Sequence, residues 1–242
     1  MSGKWRLPAV LALVAILATA GCGSDPESGS GPDAPDMPAI QNDLGPDGYR
    51  TVVDDSLDLL NEYWSREFAE RDVEYEPPAA LVSYWYRSQD KGCGGQRAGW
   101  GNAQYCQLTD TISWDGNWVF GDLYRQVGEA SVAFLLAHEF AHLVQQRIGT
   151  INEFPLTIEV ELNADCLAGA WLGAVDREVL PLSDVDLDAL DLTSLILADA
   201  KVVPLTDPTA HCTAAERRRA VTLGGRGGID ACLNRLKPGF TL

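Results

Sequence analysis

The spacing of apolar positions changes along this chain, and each change marks an element. Leu7 to Ala20 is one apolar run behind Lys4 and Arg6, too short to span a bilayer and ending in small residues. Residues 23 to 48 reverse that pattern: Gly, Ser, Pro and Asp dominate, no basic residue occurs and almost nothing is apolar enough to bury. From Val53 onward Leu57, Leu60, Trp64 and Phe68 recur at helical spacing with acids between them, which predicts an amphipathic helix ending before Pro77. Leu81 to Tyr86 is aromatic and β-branched and predicts a strand. In Thr111 to Val119 the pair Asp115-Gly116 lies between apolar runs, a hairpin signal.

Asp122 is placed to cap a long helix in which Leu123, Val127, Ala130, Phe134, Ala137, Ala141, Val144 and Ile148 repeat at spacings of four and three. Leu135, Leu136 and Phe140 make that helix apolar nearly all round, so it is expected to be buried, and Gly149 stops it. A second helix is expected from Pro155 through Trp171. Asp184 to Ile196 predicts a third, with an acidic outer face and Leu190, Leu195 and Ile196 inward. Its Asp-rich start is not a calcium loop, because Ala189 stands where that loop needs Gly and Leu195 where it needs Glu. Thr213-Ala214-Ala215-Glu216 is a capping-box start, and Arg217, Arg218 and Arg219 cannot share a face, so at most one is expected to form an inward ion pair. The elements together predict an α+β fold, mainly helical, with a small antiparallel sheet or hairpin, in one domain over 49–242. Residues 1–21 read as a signal peptide and 22–48 as a flexible tether.

Two of the three histidines of the chain fall in Ala137-His138-Glu139-Phe140-Ala141-His142. Four residues is slightly more than a helical turn, so both imidazoles leave one face. Zinc takes neutral imidazole nitrogen, and in His-Glu-x-x-His the intervening Glu139 lies where a carboxylate can accept a proton from metal-activated water. A burial argument points the same way, since two core imidazoles are better satisfied by a metal than by each other. Downstream, Glu161 and Asp165 lie four apart on the second helix. Glu161 can close a site for one Zn2+ with His138 and His142, and Asp165 can hold a histidine ring from behind. The alternative pattern with Gly and a third His after the motif is excluded, because Gln145 and Ile148 occupy those positions.

These residues resemble the bacterial neutral zinc metallopeptidase family, a small relative of thermolysin-like enzymes. The resemblance covers roughly residues 75 to 235 and is carried by the His-Glu-x-x-His helix, by Glu161-Leu162-Asn163-Ala164-Asp165-Cys166 and by a later His before a Ser/Thr-rich helix start. It implies a zincin-like domain, a peptide or protein substrate, Glu161 as third ligand and Asp165 as partner of His138. It further implies that His211, held by Asp207, donates to the developing oxyanion, and that Thr111 to Val119 is an edge strand able to pair with substrate. Surface exposure of His211 and an ordinary sheet edge are the plain alternatives.

Thr19-Ala20-Gly21-Cys22 resembles a lipoprotein box, making Cys22 the expected lipid-bearing residue of an exported, membrane-anchored protein; ordinary cleavage after Ala20 is the alternative. Export permits disulfides, and Cys93 with Cys106 and Cys212 with Cys232 are the expected pairs, leaving Cys166 as a buried thiol. The net charge of −17 becomes about −19 once Lys4 and Arg6 leave with the signal. Such a surface argues against nucleic acid or anionic lipid as a partner and leaves the lipid anchor as the expected membrane contact. Two other readings stay open: an anchored binding or scaffold protein with a structural metal, and a zinc hydrolase of a non-peptide amide.

Overall fold

The structure, a computed structural model, describes residues 34–41, 46–86, 92–198 and 212–235. The signal region, Cys22, Asp207 and His211 lie outside the described residues. A short strand β1 (Ile40–Gln41) precedes the long helix α1 (Asp47–Ala69), and β2 (Ala80–Tyr84), β3 (Ala103–Cys106) and β4 (Thr111–Asp115) follow. A helical turn α2 (Gly116–Trp118) and a π-helical stretch Val119–Tyr124 lead into α3 (Glu129–Arg147). Then come α4 (Thr157–Glu178), α5 (Asp184–Ile196) and α6 (Ala214–Arg235), the last interrupted at Gly228.

The sheet has the order β1-β2-β4-β3. Its register pairs Leu81 with Ile112 in parallel and Tyr105 with Ile112 in antiparallel fashion, so it is mixed where an antiparallel one was expected. The hairpin expected at Asp115-Gly116 is absent. Asp115 instead ends β4 and caps the next turn, accepting from the Asn117 N–H at 3.2 Å, because Asp serves helix starts as readily as turns. The antiparallel pair is β3 with β4, joined at Asp110, whose φ is 50°. The edge beside α3 is therefore β3, and β4, the expected rail, lies inside the sheet.

The expected tether also ends early. Gln41 and Ile40 pair with β2, and Asn61 of α1 donates to the Pro35 carbonyl at 2.7 Å, so the chain is fastened from Pro35. Asp122 does not cap α3, which starts after Gly128; its carboxylate accepts from the Gln126 side chain at 2.8 Å. Leu123 is buried as its spacing required, but a π-helical turn rather than the long helix delivers it. On α5 the inward residues are Ala189, Thr193 and Ser194, while Leu195 and Ile196 face outward. The two hydroxyls donate to carbonyls one turn back, Ala189 and Leu190, so they can be buried without an outside partner.

The core lies where α3 is wrapped by α1, α4 and the sheet, with Leu60, Trp64, Ile112, Phe134, Phe140 and Leu167 at its centre. α4 and α6 meet backbone to backbone: a Cβ on Gly224 would overlap the Cys166 carbonyl oxygen, and one on Gly169 the Val221 carbonyl oxygen. That approach brings Cys166 to Cys232, which form a disulfide, and Cys93 bonds Cys106. Among the described residues Cys212 is the free, buried thiol, correcting both the expected Cys212–Cys232 pair and the expected free Cys166. The reason is placement: Cys212 Sγ lies against the Ile158 carbonyl at 3.6 Å, about two turns of α4 before Cys166, whereas the break at Gly228 carries Cys232 back to Cys166. Burial pushes the Cys212 thiol well above its usual range, so it stays protonated.

Candidate metal centre

α3 delivers His138, Glu139 and His142 from one buried face, and the first turns of α4 deliver Glu161 and Asp165 opposite. His138 Nε2 lies 3.2 Å from Glu161 Oε2, and His142 Nε2 lies 3.5 Å from Glu161 Oε1. One ligand atom from each of the three residues lies within 4.8 Å of the others. Ligands about 2.0–2.2 Å from a shared tetrahedral ion would stand about 3.3–3.6 Å apart, so the Glu161 contacts have the spacing of polyhedron edges. The rings stand nearly perpendicular, at 86°, with centroids 4.8 Å apart.

Both rings are oriented from behind. His138 Nδ1 meets Asp165 Oδ1 at 2.9 Å and His142 Nδ1 meets Gln145 Oε1 at 2.9 Å. A carboxylate can only accept, so Nδ1 of His138 carries a hydrogen and Nε2 is the nitrogen that faces Glu161. The Gln145 amide is fixed by the same logic, because its Nε2 donates to the Val160 carbonyl (2.9 Å) and to Asn163 Oδ1 (2.9 Å), leaving Oε1 for His142. Burial alone would lower the affinity of His138 for a proton. Hydrogen bonds to Asp165 and Glu161 reverse that and push its pKa up to about 10. A ring so eager for positive charge between two acids is a fit for a cation in place of the proton.

Asp165 is fully buried and needs more than His138. Arg217, only 2% exposed, donates from Nη2 to the same Oδ1 at 2.9 Å. Arg217 is therefore the one inward ion pair expected among the three arginines. It shares a helical stripe with Ala220 and Gly224, which face α4, and that spacing was the available signal. Sequence reasoning missed Gln145 and Asn163 as supports. Gln145 lies three residues after His142, where helical spacing puts it beside that ring.

Glu139 is 6% exposed and accepts the Tyr105 N–H of β3 at 2.8 Å. Tyr105 also donates its hydroxyl to Asp110 at 2.7 Å, and Arg147 at the end of α3 pairs with Asp110 at 2.8 Å, so β3 is tied to the middle and to the C-terminal end of the motif helix. Burial would raise the Asp110 pKa, but Arg147 and Tyr105 hold it below the usual carboxylate value. Because Asp115 N–H donates to Asn102, the alternation along β3 turns the Ala103 N–H and C=O away from β4, onto the open edge. The edge, the three candidate ligands and Glu139 line one cleft of about 760 Å³, whose other wall includes Trp118, Leu135, Phe154 and Ile196.

The sequence pattern of the family described as "Putative neutral zinc metallopeptidase" matches residues 9–232. YpfJ of Escherichia coli (strain K12), named as an uncharacterized protein, is 26% identical over 205 residues, covering 74% of this chain and 68% of its own. Rv2575 of Mycobacterium tuberculosis (strain H37Rv), also named as uncharacterized, is 29% identical over 151 residues, 51% of each chain. No solved structure matches.

Proposed function

Since the chain belongs to this family of neutral zinc metallopeptidases, we propose that it is a zinc-dependent peptidase acting outside the cytoplasm, with Glu139 moving the proton. The observation that carries the reading is the fastening of a buried Glu139 to the Tyr105 N–H of an open strand edge, next to the His138, His142 and Glu161 cluster. A metal held only to support the fold needs neither a positioned base nor an open edge beside it. His138, His142 and Glu161 would hold the ion. When bound, zinc supplies Lewis acidity and lowers the pKa of coordinated water to about 7.

The chain's own residues supply the rest. Asp165 and Gln145 keep both Nδ1 atoms protonated and both Nε2 atoms available. Glu139 accepts a proton from the attacking water and returns it to the leaving amine nitrogen. The Tyr105 N–H holds one oxygen of that carboxylate and leaves the other free for the transfer. An extended peptide can add to the edge of β3 through the outward N–H and C=O of Ala103, which favours a peptide over a compact amide substrate. The cleft edge is thus β3, in place of the segment Thr111 to Val119.

The same reading includes export and a lipid-bearing Cys22, supported by the apolar run and by Thr19-Ala20-Gly21-Cys22. A Cys22→Ala variant is expected to leave the membrane fraction. For the chemistry, the test is cleavage of a quenched peptide library by zinc-loaded protein. Wild type is expected to cut and to stop on chelation. Glu139→Gln is expected to bind zinc as well as wild type and to lose at least a hundredfold in kcat. Equal cleavage by both would remove the proton-transfer role, and no cleavage by wild type would remove the peptidase.

A further inference from the structure

Beside the metal cleft opens a second hollow of about 550 Å³, lined by Trp85, Tyr86, Trp100, Asp115 and Asn117. Its aromatic walls are exposed: Trp100 by 64%, Trp85 by 44% and Tyr86 by 38%. Aromatic surface gathered in one place and left in water is the mark of a surface that something covers. Arg97 stacks on Tyr86 at 5.4 Å and closes the rim.

The turn that carries Trp100 is built rigidly. The buried Tyr84 hydroxyl lies 2.9 Å from the Gly99 carbonyl and 3.0 Å from the Asn102 carbonyl. The fully buried Asp115 carboxylate accepts the Gly101 N–H at 3.1 Å, and the Asp115 N–H donates to the Asn102 carbonyl at 2.9 Å. These bonds hold the backbone on both sides of Trp100, so binding there need order only the indole and not the turn that carries it.

The hollow borders the cleft. Gly101 and Asn102, which follow Trp100, and Trp118, which follows Asn117, line the metal cleft itself. The two depressions therefore share one ridge, at the Ala103 end of β3. A peptide paired antiparallel with β3 runs from the Cys106 end toward the Ala103 end, so its C-terminal part leaves across that ridge. From Tyr105, which holds Glu139, to Trp100 is at most roughly 16 Å along the chain, the length of four or five extended residues.

We propose that this aromatic hollow is an extended subsite for the leaving-amine side of a peptide substrate, taking an apolar or aromatic side chain about four residues beyond the scissile bond. It rests on the peptidase reading and adds a substrate preference to it: peptides long enough to cross the ridge, with a large apolar residue at that distance. Trp100 supplies the main face and Trp85 the facing wall.

The test uses two quenched peptides of one sequence, one ending two residues past the cleaved bond and one extended to five with Phe at the fourth. Zinc-loaded wild type is expected to favour the long peptide in kcat/KM by about tenfold, and Trp100→Ala to reduce that ratio to near one, chiefly through KM. An unchanged ratio in Trp100→Ala, or no preference in wild type, overturns the subsite while leaving the peptidase intact. Failure of wild type to cut either peptide overturns the peptidase reading itself. As a second measurement, the long peptide is titrated into Glu139→Gln protein and indole emission followed. Quenching that disappears in Trp100→Ala is expected, whereas quenching by a chitin-type oligosaccharide and not by the peptide contradicts the assignment.

Discussion

The two histidines of the candidate metal centre leave the same helix one turn apart, yet they are held by opposite kinds of chemistry. Behind His138 stands a buried ion pair, Asp165 with Arg217, contributed by α4 and α6. Behind His142 stand two amides, Gln145 and Asn163, and a backbone carbonyl of α4. The amide side is electrically neutral, with Gln145 bonded within α3 and α4, and Asn163 also reaches the Cys232 carbonyl at 3.4 Å. The charged side depends on a helix more than fifty residues downstream. One ring is thus set by local packing, and the other is set only when α6 has docked.

The largest expected effect breaks the charged side alone. Arg217→Met leaves the buried Asp165 with the His138 ring as its remaining positive partner and is expected to destabilise the metal-free protein by about 3 kcal/mol, measured by urea unfolding. Adding Asp165→Asn should recover a large part of that loss, because the under-compensated charge goes with it. A double variant no more stable than Arg217→Met would show that the two groups do not act as a pair.

Zinc affinity should separate the two rings next. Asp165→Ala is expected to weaken zinc by about a hundredfold and Gln145→Ala by about tenfold, in competition with a chromophoric chelator. Equal losses would mean that the charge behind His138 adds nothing to metal binding.

Particular to His138 is a pH dependence. Its folded pKa of about 10 is above an unfolded value near 6.5. Protonation of the ring therefore stabilises the metal-free protein fully below about pH 6.5, and the contribution is lost as pH rises through about 10. Urea unfolding of chelator-treated protein should show that decline, and Asp165→Asn should flatten it. Calorimetry at pH 7 should also show about one proton released per zinc bound, since the ion replaces it.

The smallest effect belongs to a pair outside the comparison. Asp110→Asn removes the partner of Arg147 at the end of α3 and should cost about 1 kcal/mol while leaving zinc affinity unchanged. The depressed Asp110 pKa makes its contribution present above an unfolded value near 3.9 and lost as pH falls through the folded one.

How legible this was in the sequence follows the same division. The motif helix, the spacing of Glu161 and Asp165 and the capping box at Thr213 are local patterns of one helix each, and helical spacing exposes them. What joins distant segments left a weaker trace. Cys166 and Cys232 meet because Gly169 and Gly224 let two backbones touch, a property of a helix pair that composition at either site does not announce. Strand pairing was equally hidden: Asp115-Gly116 reads as a turn in isolation, whereas in the fold Asp115 pairs with Tyr84 of β2 and Gly116 lies too close to the Ser83 hydroxyl for a side chain. The inward Arg217 could have been picked from its stripe, but its partner could not.

The central claim, that His138, His142 and Glu161 share one ion, is tested most directly by zinc content after exhaustive dialysis of the full chain and of Glu161→Gln. The account predicts one zinc per wild-type chain and essentially none in the variant, with both proteins folded by circular dichroism. One zinc retained by Glu161→Gln would contradict it.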